Sequence, residues 1–279
     1  MKFILICILT FLSFSQKNKD VKGTFKSNKL INFQTIEQPY KNTFEFVVGH
    51  RFGDTYTGIK DFFGLDNGVQ TYIGFDFGVT DKLQLGVARL SLNKTYSFNS
   101  KMKLIRQARK SGSPFSLSLY SAFDTKTADY AKEKLVLVQA ILGKKINSKW
   151  SLQLSPFYIQ RLEEKSQELG AQAIYGIGFS GRVKLTKRTS LIGEVSYVMN
   201  RDDFNDNSIL KNNQQDYNYG RKLDSFSLAY NVEAGGHAFQ VVVSNTQEIS
   251  TIGTLIGTNT DFFERHFYIG FNMSRLFSL

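Results

Sequence analysis

The sequence predicts an all-β fold, a closed antiparallel transmembrane β-barrel of about 12 strands that follows an N-terminal signal peptide. Three observations favour this fold class. Apolar and polar residues alternate along many segments, which is typical of strands with two different faces. The connections between these segments alternate between short and long. The chain is also rich in aromatic residues, with 25 Phe and 13 Tyr against 3 Pro, a composition that favours strands over helices.

The N-terminus, MKFILICILTFLSFSQ, has the pattern of a secretory signal. Positive Lys2, the apolar stretch Phe3 to Phe14 and a small-x-small site before Gln16 predict a signal peptide over residues 1–15. A retained anchor helix is the alternative, although the stretch is short for a membrane span. Cys7 is the only cysteine and lies within the apolar stretch, away from the cleavage point. We therefore expect neither lipidation there nor disulfides in the mature chain.

Residues 16–41 are polar and rich in lysine, which predicts a flexible periplasmic leader ahead of a barrel over residues 42–279. The formal net charge of the chain is +11, which by itself would allow nucleic acid or anionic lipid as a partner. Beyond the leader, the basic residues are dispersed along an exported chain. We therefore expect no nucleic-acid partner.

Twelve segments alternate in this way. The clearest runs from Val69 to Val79, where Ile73 and Phe75 alternate with Gly74 and Asp76. The third segment is predicted to continue past a bulge near Ala88, and the sixth is apolar on both faces, so its facing stays undetermined. The predicted strands are about 43–52, 69–79, 83–88, 97–107, 115–123, 135–144, 150–161, 172–185, 190–198, 225–233, 238–245 and 266–277.

The connections distinguish the two ends of the predicted barrel. Short turns, such as 80–82 and 146–149, alternate with long connections, such as 53–67 and 199–223, and only the turn at 93–95 breaks the rule. Outer-membrane barrels place short turns in the periplasm and long loops outside. The apolar face then contacts lipid, and the Gly, Ser and Asp face lines a water-filled lumen. A soluble β-sandwich or lipocalin-like barrel is the alternative, but it would need apolar inward positions.

These features predict a location in the outer membrane of a Gram-negative bacterium, with outer-membrane lipid as a partner. The last strand carries outward hydrophobes and nearly ends on Phe277. Such an aromatic final strand is the element that the barrel insertion machinery recognises, so we expect that machinery to be a second partner.

Several ordered motifs carry a family resemblance. They are HRFG (50–53), FFGLDNG (62–68), GFDFGVTDKLQLGVAR (74–89), NKTY (93–96), KLIRQ (103–107) and GGHAFQ (235–240). From about residue 42 to residue 279, the chain resembles a Bacteroidota family of outer-membrane β-barrels catalogued as a domain of unknown function. The resemblance implies a fold and a location, and it implies no substrate and no catalytic residues.

No catalytic or metal-binding pattern stands out, so the sequence predicts neither an enzyme nor a cofactor. An outer-membrane phospholipase would need a serine two residues after a histidine on one strand. His50, His237 and His266 lack such a serine. The segment DFNDNS (203–208) begins like a calcium loop but lacks the glycine at position six and the glutamate at position twelve. The acidic residues of that loop are interpreted as solvated.

Charged residues on the predicted inward face form a candidate lumen lining. Two interpretations stay open, and both can hold: a paired polar network inside a closed barrel, or the selectivity lining of a pore. The residues are Glu45, Arg51, Asp76, Arg89, Lys101, Lys103, Arg182, Glu194 and Glu233.

Two long connections are unusually apolar for exposed loops. The first carries Ile59, Phe62, Phe63 and Leu65, and the second covers residues 249–263. We predict that both fold back and constrict the lumen, and the alternative is an exposed docking patch. The predicted function is a narrow or gated channel or transporter for a small solute that the sequence does not identify. A non-transporting envelope or partner-binding barrel is the alternative, and an outer-membrane enzyme is the third.

Overall fold

The computed structural model describes residues 20–109, 112–129, 132–162, 172–201 and 223–279. Within these ranges the chain forms twelve strands, which agree with the predicted ones to within a few residues at each end. They are β1 Thr43–Asp54, β2 Val69–Gly78, β3 Leu83–Leu90, β4 Thr95–Ile105, β5 Ser116–Lys126, β6 Glu133–Lys145, β7 Trp150–Arg161, β8 Ala173–Lys184, β9 Thr189–Val198, β10 Phe226–Ala234, β11 His237–Ser244 and β12 Tyr268–Ser278.

The strands form a closed antiparallel barrel in which each strand pairs with its sequence neighbours and β1 pairs with β12. Thr43 lies opposite Ser278 at one end of this closing pair, and Arg51 lies opposite Gly270 towards the other. Closure leaves no unpaired strand edge, which would be costly in hydrocarbon. We call the end with the short β2–β3 and β6–β7 turns the turn end, and the opposite end the loop end. The predicted fold class is confirmed.

Inward and outward residues alternate as predicted along most strands. On β2, Tyr72 and Asp76 are buried inside the barrel, whereas Ile73 and Phe77 are exposed on its outer surface. The outer surface carries packed aromatic rings, including Phe44 stacked on Phe277 at 5.1 Å between ring centroids. This distribution matches a barrel whose outer face contacts lipid.

The predicted bulge in the third strand is wrong. The β2–β3 register runs without interruption, with Ile73 opposite Arg89 and Tyr72 opposite Leu90. Leu90 therefore points inward, where it joins Val47, Tyr72 and Ile249 in an apolar cluster. An inward leucine is stable here because the lumen contains apolar partners, which the prediction did not foresee.

The structure also settles the facing of the sixth strand. Leu135, Leu137 and Ile141 of β6 point inward and are fully buried, whereas Val138 lies exposed on the outer surface. The strand is apolar on both faces because its outward face contacts the membrane and its inward face contacts apolar side chains of another segment inside the lumen.

Residues 20–41 are the segment that supplies these apolar side chains inside the lumen. The prediction of a flexible leader is therefore wrong for residues 20–41. The chain enters at the turn end, where the Val21 N–H donates to the Gln107 carbonyl at 2.8 Å. It reverses at a tight turn in which Leu30 N–H donates to the Phe33 carbonyl at 2.8 Å. It then returns to the turn end and continues into β1. We call residues 20–41 the lumenal hairpin.

A second segment fills the lumen from the loop end. Helix α1, Thr251–Ile256, lies in the β11–β12 connection and is buried along its whole length. Ser250 caps its start by accepting the Gly253 N–H at 2.9 Å. We call residues 249–256 the cap. Among the described residues, no helix is long and apolar enough to cross a membrane.

Candidate functional site in the barrel lumen

The tip of the lumenal hairpin is held by one carboxylate of the barrel wall. Glu194, in the middle of β9, accepts the backbone N–H groups of Ile31 at 2.7 Å, Asn32 at 2.9 Å and Phe33 at 3.0 Å. The tight turn aims these three N–H groups at one point. Because three donors converge on one side chain, Glu194 alone satisfies most of the backbone N–H groups of the turn and fixes the tip.

Two further carboxylates bind the ascending arm of the hairpin. Glu45 of β1 accepts the Asn28 N–H at 2.9 Å and the hydroxyl of Ser27. Asp76 of β2 accepts the Asn28 side-chain amide at 2.6 Å and the Asn99 amide at 3.1 Å. The backbone and side chain of Asn28 therefore each engage a separate wall carboxylate.

Two wall cations bind the carbonyl and amide oxygens of the hairpin. The Lys101 ammonium on β4 donates to the Gln34 side chain and the Thr35 carbonyl, both at 3.0 Å. The Arg51 guanidinium on β1 donates to the Asn32 side chain at 2.8 Å and to Asn272 at 2.9 Å. Both cations are fully buried, so the hydrogen bonds replace their lost hydration.

Neutral wall groups complete the attachment at the tip. Asn272 of β12 donates to the Ile31 carbonyl at 2.9 Å, and Gln240 of β11 donates to the Leu30 carbonyl at 2.6 Å. The polar contacts to this four-residue turn therefore come from one continuous part of the wall, strands β9 to β12 and β1. The cap contacts the same turn from the loop end.

Ion pairs tie the hairpin to the turn end of the barrel. Arg106 contacts Glu37 at 2.9 Å, and Lys26 contacts Glu233 at 3.6 Å. Glu233 also lies 3.9 Å from Arg182. These pairs are partly exposed and contribute less than the buried contacts at the tip.

Apolar packing fills the space between the polar contacts. Phe25, Ile31, Phe33 and Ile36 of the hairpin belong to one buried cluster with inward residues of the seven strands β5 to β11. Between hairpin and wall, the cavity lined by Ser27, Ile31, Gln240 and Ser274 has a volume of about 10 Å³. That volume is about the space that one water needs, so the lumen is closed along this side of the hairpin.

The cap rests on the hairpin tip. The Thr251 hydroxyl donates to the Asn32 carbonyl at 3.1 Å, and the Lys29 ammonium donates to the Ile249 carbonyl at 2.5 Å. The cap is in turn tied to the loops, because Arg201 donates to the Ile256 carbonyl at 3.0 Å. Hairpin and cap thus meet inside the barrel and block it together.

The structure places eight of the nine predicted lining residues on the inward face. Glu45, Arg51, Asp76, Lys101 and Glu194 contact the inner part of the hairpin. Arg182 and Glu233 contact it nearer the turn end, and Lys103 donates to the Asp81 carbonyl there. The prediction is wrong for Arg89, which points outward with its guanidinium 4.6 Å from the centre of the Tyr96 ring. Its facing follows from the missing bulge in β3.

The predicted constriction by the first apolar loop is wrong. Ile59, Phe62, Phe63 and Leu65 are all exposed, Ile59 to 82%. They lie in the irregular 3-10 segment Thr55–Gly64 and just after it, at the loop end. The hairpin and the cap already occupy the lumen, so no inward apolar site remains for them. The second apolar loop does fold inward, because it supplies the cap.

Sequence reasoning missed the hairpin and the contacts that hold it. The many lysines of the hairpin predict a flexible, solvated segment. Apolar residues lie between the lysines, however, and these become buried: Phe25, Leu30, Ile31, Phe33 and Ile36. The inward apolar face of β6 was a second signal, since a water-filled lumen would not require it. Taken together, these two patterns could have placed the segment inside the barrel.

The remaining candidate residues do not come together. His50 lies on the outer surface of β1 near Thr71, His237 opens β11 at the turn end, and His266 contacts Asp54 at the loop end. In the part of the chain that the structure describes, no group of three metal-ligating side chains forms. The incomplete calcium motif at residues 203–208 lies outside the described residues.

A closed antiparallel barrel with an apolar outer face and a polar, filled lumen defines a membrane β-barrel protein. The chain belongs to the family described as a membrane bound beta barrel domain (DUF5777), which matches residues 25–277. The match begins within the lumenal hairpin and therefore includes its tip. The family description confirms the predicted class and assigns no specific function.

Solved structures share the fold at low sequence identity. One is the COG4313 outer membrane channel from Pseudomonas putida F1, with a TM-score of 0.50, 12% identity, and coverage of 86% of this chain and 97% of that chain. Another is a KdgM porin in complex with disordered oligogalacturonate, with a TM-score of 0.50, 7% identity, and coverage of 84% and 98%. No curated protein matches the sequence at a significant level. These likenesses support the barrel fold alone.

Proposed function

We propose that the protein is a gated outer-membrane channel for a small solute, closed by the lumenal hairpin in the conformation described above. One observation carries the proposal: the wall behind the hairpin combines apolar residues with buried polar side chains that lack partners. Gln139, Ser118 and Ser180 are buried against the hairpin side of the lumen, and polar atoms of each have no hydrogen-bond partner among the described protein groups. A permanently dry interior would gain from apolar residues there, whereas a wall that is hydrated when the hairpin leaves needs polar ones.

The attachment of the hairpin also supports gating. Both of its ends lie at the turn end, and its contacts with the wall are hydrogen bonds, ion pairs and packing. The tip can therefore leave through the turn end without breaking any barrel strand. In this proposal the turn end faces the periplasm and the long loops face outward, as in other outer-membrane barrels.

The solved structures with the same fold support a channel function. A channel and a porin share the barrel architecture at TM-scores of 0.50. In this proposal the solute is small, because a twelve-stranded barrel is narrower than general porins. The proposal includes no catalytic role and no cofactor, and it assigns insertion to recognition of the final strand β12 by the barrel insertion machinery.

Conductance in planar bilayers tests the proposal. A variant with residues 24–37 replaced by a Gly/Ser linker of equal length loses the tip contacts and keeps the strands. A second variant also replaces residues 249–256, because the cap rests on the tip. We expect stepwise conductance from at least one variant and a mostly closed parent. If both variants insert as barrels and neither conducts, the protein is not a channel.

A non-transporting barrel that binds a partner through its loops is the second candidate. Tyr56, Ile59 and Phe63 are exposed at the loop end, and so is Phe263 of the β11–β12 connection, to 93%. Phe62 and Phe63 both adopt positive φ, 46° and 56°, a conformation that bulky residues rarely adopt. Strain of this kind clusters at functional sites, so failure of the conductance test would direct attention to this aromatic group.

A further inference from the structure

An open groove crosses the outer surface of the barrel over β6 to β10. Its volume is about 590 Å³, and its walls are apolar side chains on the membrane-facing side. The floor is formed at Gly181 of β8 and Gly193 of β9, which lie directly opposite each other. The wall residues are Leu142, Leu152, Leu154, Phe179, Val195 and Phe226.

The packing of the protein itself does not require glycine at position 193, whereas a Cβ atom at Gly181 would press on the Leu152 side chain at 3.1 Å. A Cβ atom at Gly193 would meet only the Leu228 side chain, at an ordinary contact distance of 3.5 Å. Neither glycine has a positive φ. Glycine weakens a strand and often marks a position where a ligand approaches the backbone closely. The two glycines therefore provide open space on the outer surface of the barrel.

One end of the groove lies among cations at the turn end. Lys144, at the end of β6, lines the groove and is exposed. Lys149, Lys187 and Arg188 are exposed in the two adjacent short turns. Among the described residues, none of these four side chains has an acidic partner within 4 Å. Trp150, half exposed beside them, is a residue type that favours the membrane interface.

The dimensions fit a lipid tail. Lys144, Leu152, Gly181, Gly193 and Leu228 pair in succession across the five strands. Neighbouring strands lie about 4.8 Å apart, so this row is about 19 Å long. A tail along it lies over the two glycines at its centre, between the side chains of Leu152 and Leu228. A tail placed along the row would end with its headgroup beside Lys144.

We propose that this groove binds an acyl chain of an anionic phospholipid from the leaflet at the turn end, with Lys144 and the neighbouring turn cations holding its phosphate. The groove supplies shape and van der Waals contact, which distinguish one tail from the surrounding lipid. The cations supply the preference for a negative headgroup. Lipid binding in this groove does not require the lumenal hairpin to move.

Native mass spectrometry of the detergent-solubilised full chain tests the site. The protein is incubated with equal amounts of dipalmitoyl phosphatidylglycerol and dipalmitoyl phosphatidylcholine. We expect one phosphatidylglycerol to be retained per chain, with about a fivefold preference over phosphatidylcholine. Gly193→Val fills the floor with a strand-favouring side chain and should reduce retention of both lipids. Lys144→Gln should reduce the preference towards equal binding.

Matched variants serve as controls. Ala140→Val adds bulk to the outer face of β6 outside the groove, and Lys82→Gln removes an exposed cation from the β2–β3 turn. Both should bind lipid as the parent does. Equal retention by the parent and Gly193→Val would overturn the proposal, as would equal binding of the two lipids by the parent. A parent dimer that Gly193→Val dissociates would instead assign the groove to a second copy of the chain.

Discussion

A single carboxylate, that of Glu194, receives three backbone N–H groups from the hairpin tip. These groups would otherwise be buried donors without partners, because the tip lies away from bulk water. The contact therefore stabilises the closed arrangement, because it satisfies three donors that would be costly to bury without partners.

Glu194→Gln should shift the protein towards conduction. The amide is a weaker acceptor, and its NH₂ group opposes the N–H groups of the tip, so the closed arrangement loses about 2 kcal/mol. Planar-bilayer recordings should show a higher open fraction than in the parent. Glu233→Gln is the control, because Glu233 makes only longer, partly exposed ion pairs. An unchanged open fraction in Glu194→Gln would mean that the tip contact does not control the lumen.

Phe33→Ala should destabilise the folded protein. Phe33 is fully buried, with 0% exposure, in the lumenal cluster. Truncation of a buried phenylalanine costs about 3 to 5 kcal/mol of unfolding free energy. Reversible urea unfolding from lipid vesicles measures this cost, and Phe263→Ala at the exposed loop end should leave stability unchanged. A neutral result for Phe33 would show that the hairpin does not pack as described.

The elements differ in how well the sequence predicts them. Strands such as β7 were predicted to the residue, because alternation and hairpin-length turns are local signals. The lumenal hairpin was not predicted, since its partners are Glu194, Asn272 and Lys101, far away in the sequence. The mean polarity of such a segment does not predict whether it is buried, because its backbone groups and lysines have hydrogen-bond partners only inside the closed barrel.

The two apolar loops also depend on contacts with residues far away in the sequence, and only one of them folds into the lumen. Both have apolar residues that exposed loops rarely contain, yet only the β11–β12 loop reaches the lumen, where Ile252 and Leu255 meet the hairpin cluster. Composition predicts that an apolar segment needs cover. It does not predict which of two segments takes the one available space.

Replacing residues 58–65 with a Gly/Ser linker should leave conductance as it is in the parent. Ile59 and Phe63 are exposed at the loop end and do not narrow the lumen. Single-channel recordings of this variant, together with those of the variant that lacks the hairpin, provide the comparison. An increase in conductance from the loop replacement alone would restore the constriction hypothesis and contradict the observed placement of these side chains.

For the whole molecule, the membrane determines which face of each strand is apolar. Phe75 lies on the outer face of β2, packed against Phe46 with ring centroids 5.0 Å apart. Phe75→Arg places a charge in the central part of the lipid-facing band and should cost about 2 to 4 kcal/mol of unfolding free energy. Thr71→Arg, on the same face but nearer the loop end, should cost about 1 kcal/mol or less.

Reversible unfolding from vesicles distinguishes these two outcomes. Equal and small costs at both positions would contradict the orientation of the barrel in the membrane. A large cost at position 71 and none at position 75 would show that the hydrocarbon band lies nearer the loop end than proposed here.

The central claim is that the lumenal hairpin must move for the barrel to conduct, and a reversible cross-link tests it most directly. The Ser27 hydroxyl lies 3.3 Å from that of Ser274 on β12, so Ser27→Cys with Ser274→Cys places two thiols within reach of a disulfide. The chain contains one other cysteine, Cys7, in the predicted signal peptide. The cross-link is introduced together with Glu194→Gln, and each single cysteine variant is the control.

Conductance is then recorded on the same inserted protein before and after addition of a reductant. The account predicts few or no openings in the oxidised protein and frequent openings once the disulfide is reduced, with no effect of reductant on the single-cysteine controls. Equal conductance in the oxidised and reduced protein, with the disulfide verified by mass spectrometry, would contradict the claim that the hairpin is the gate.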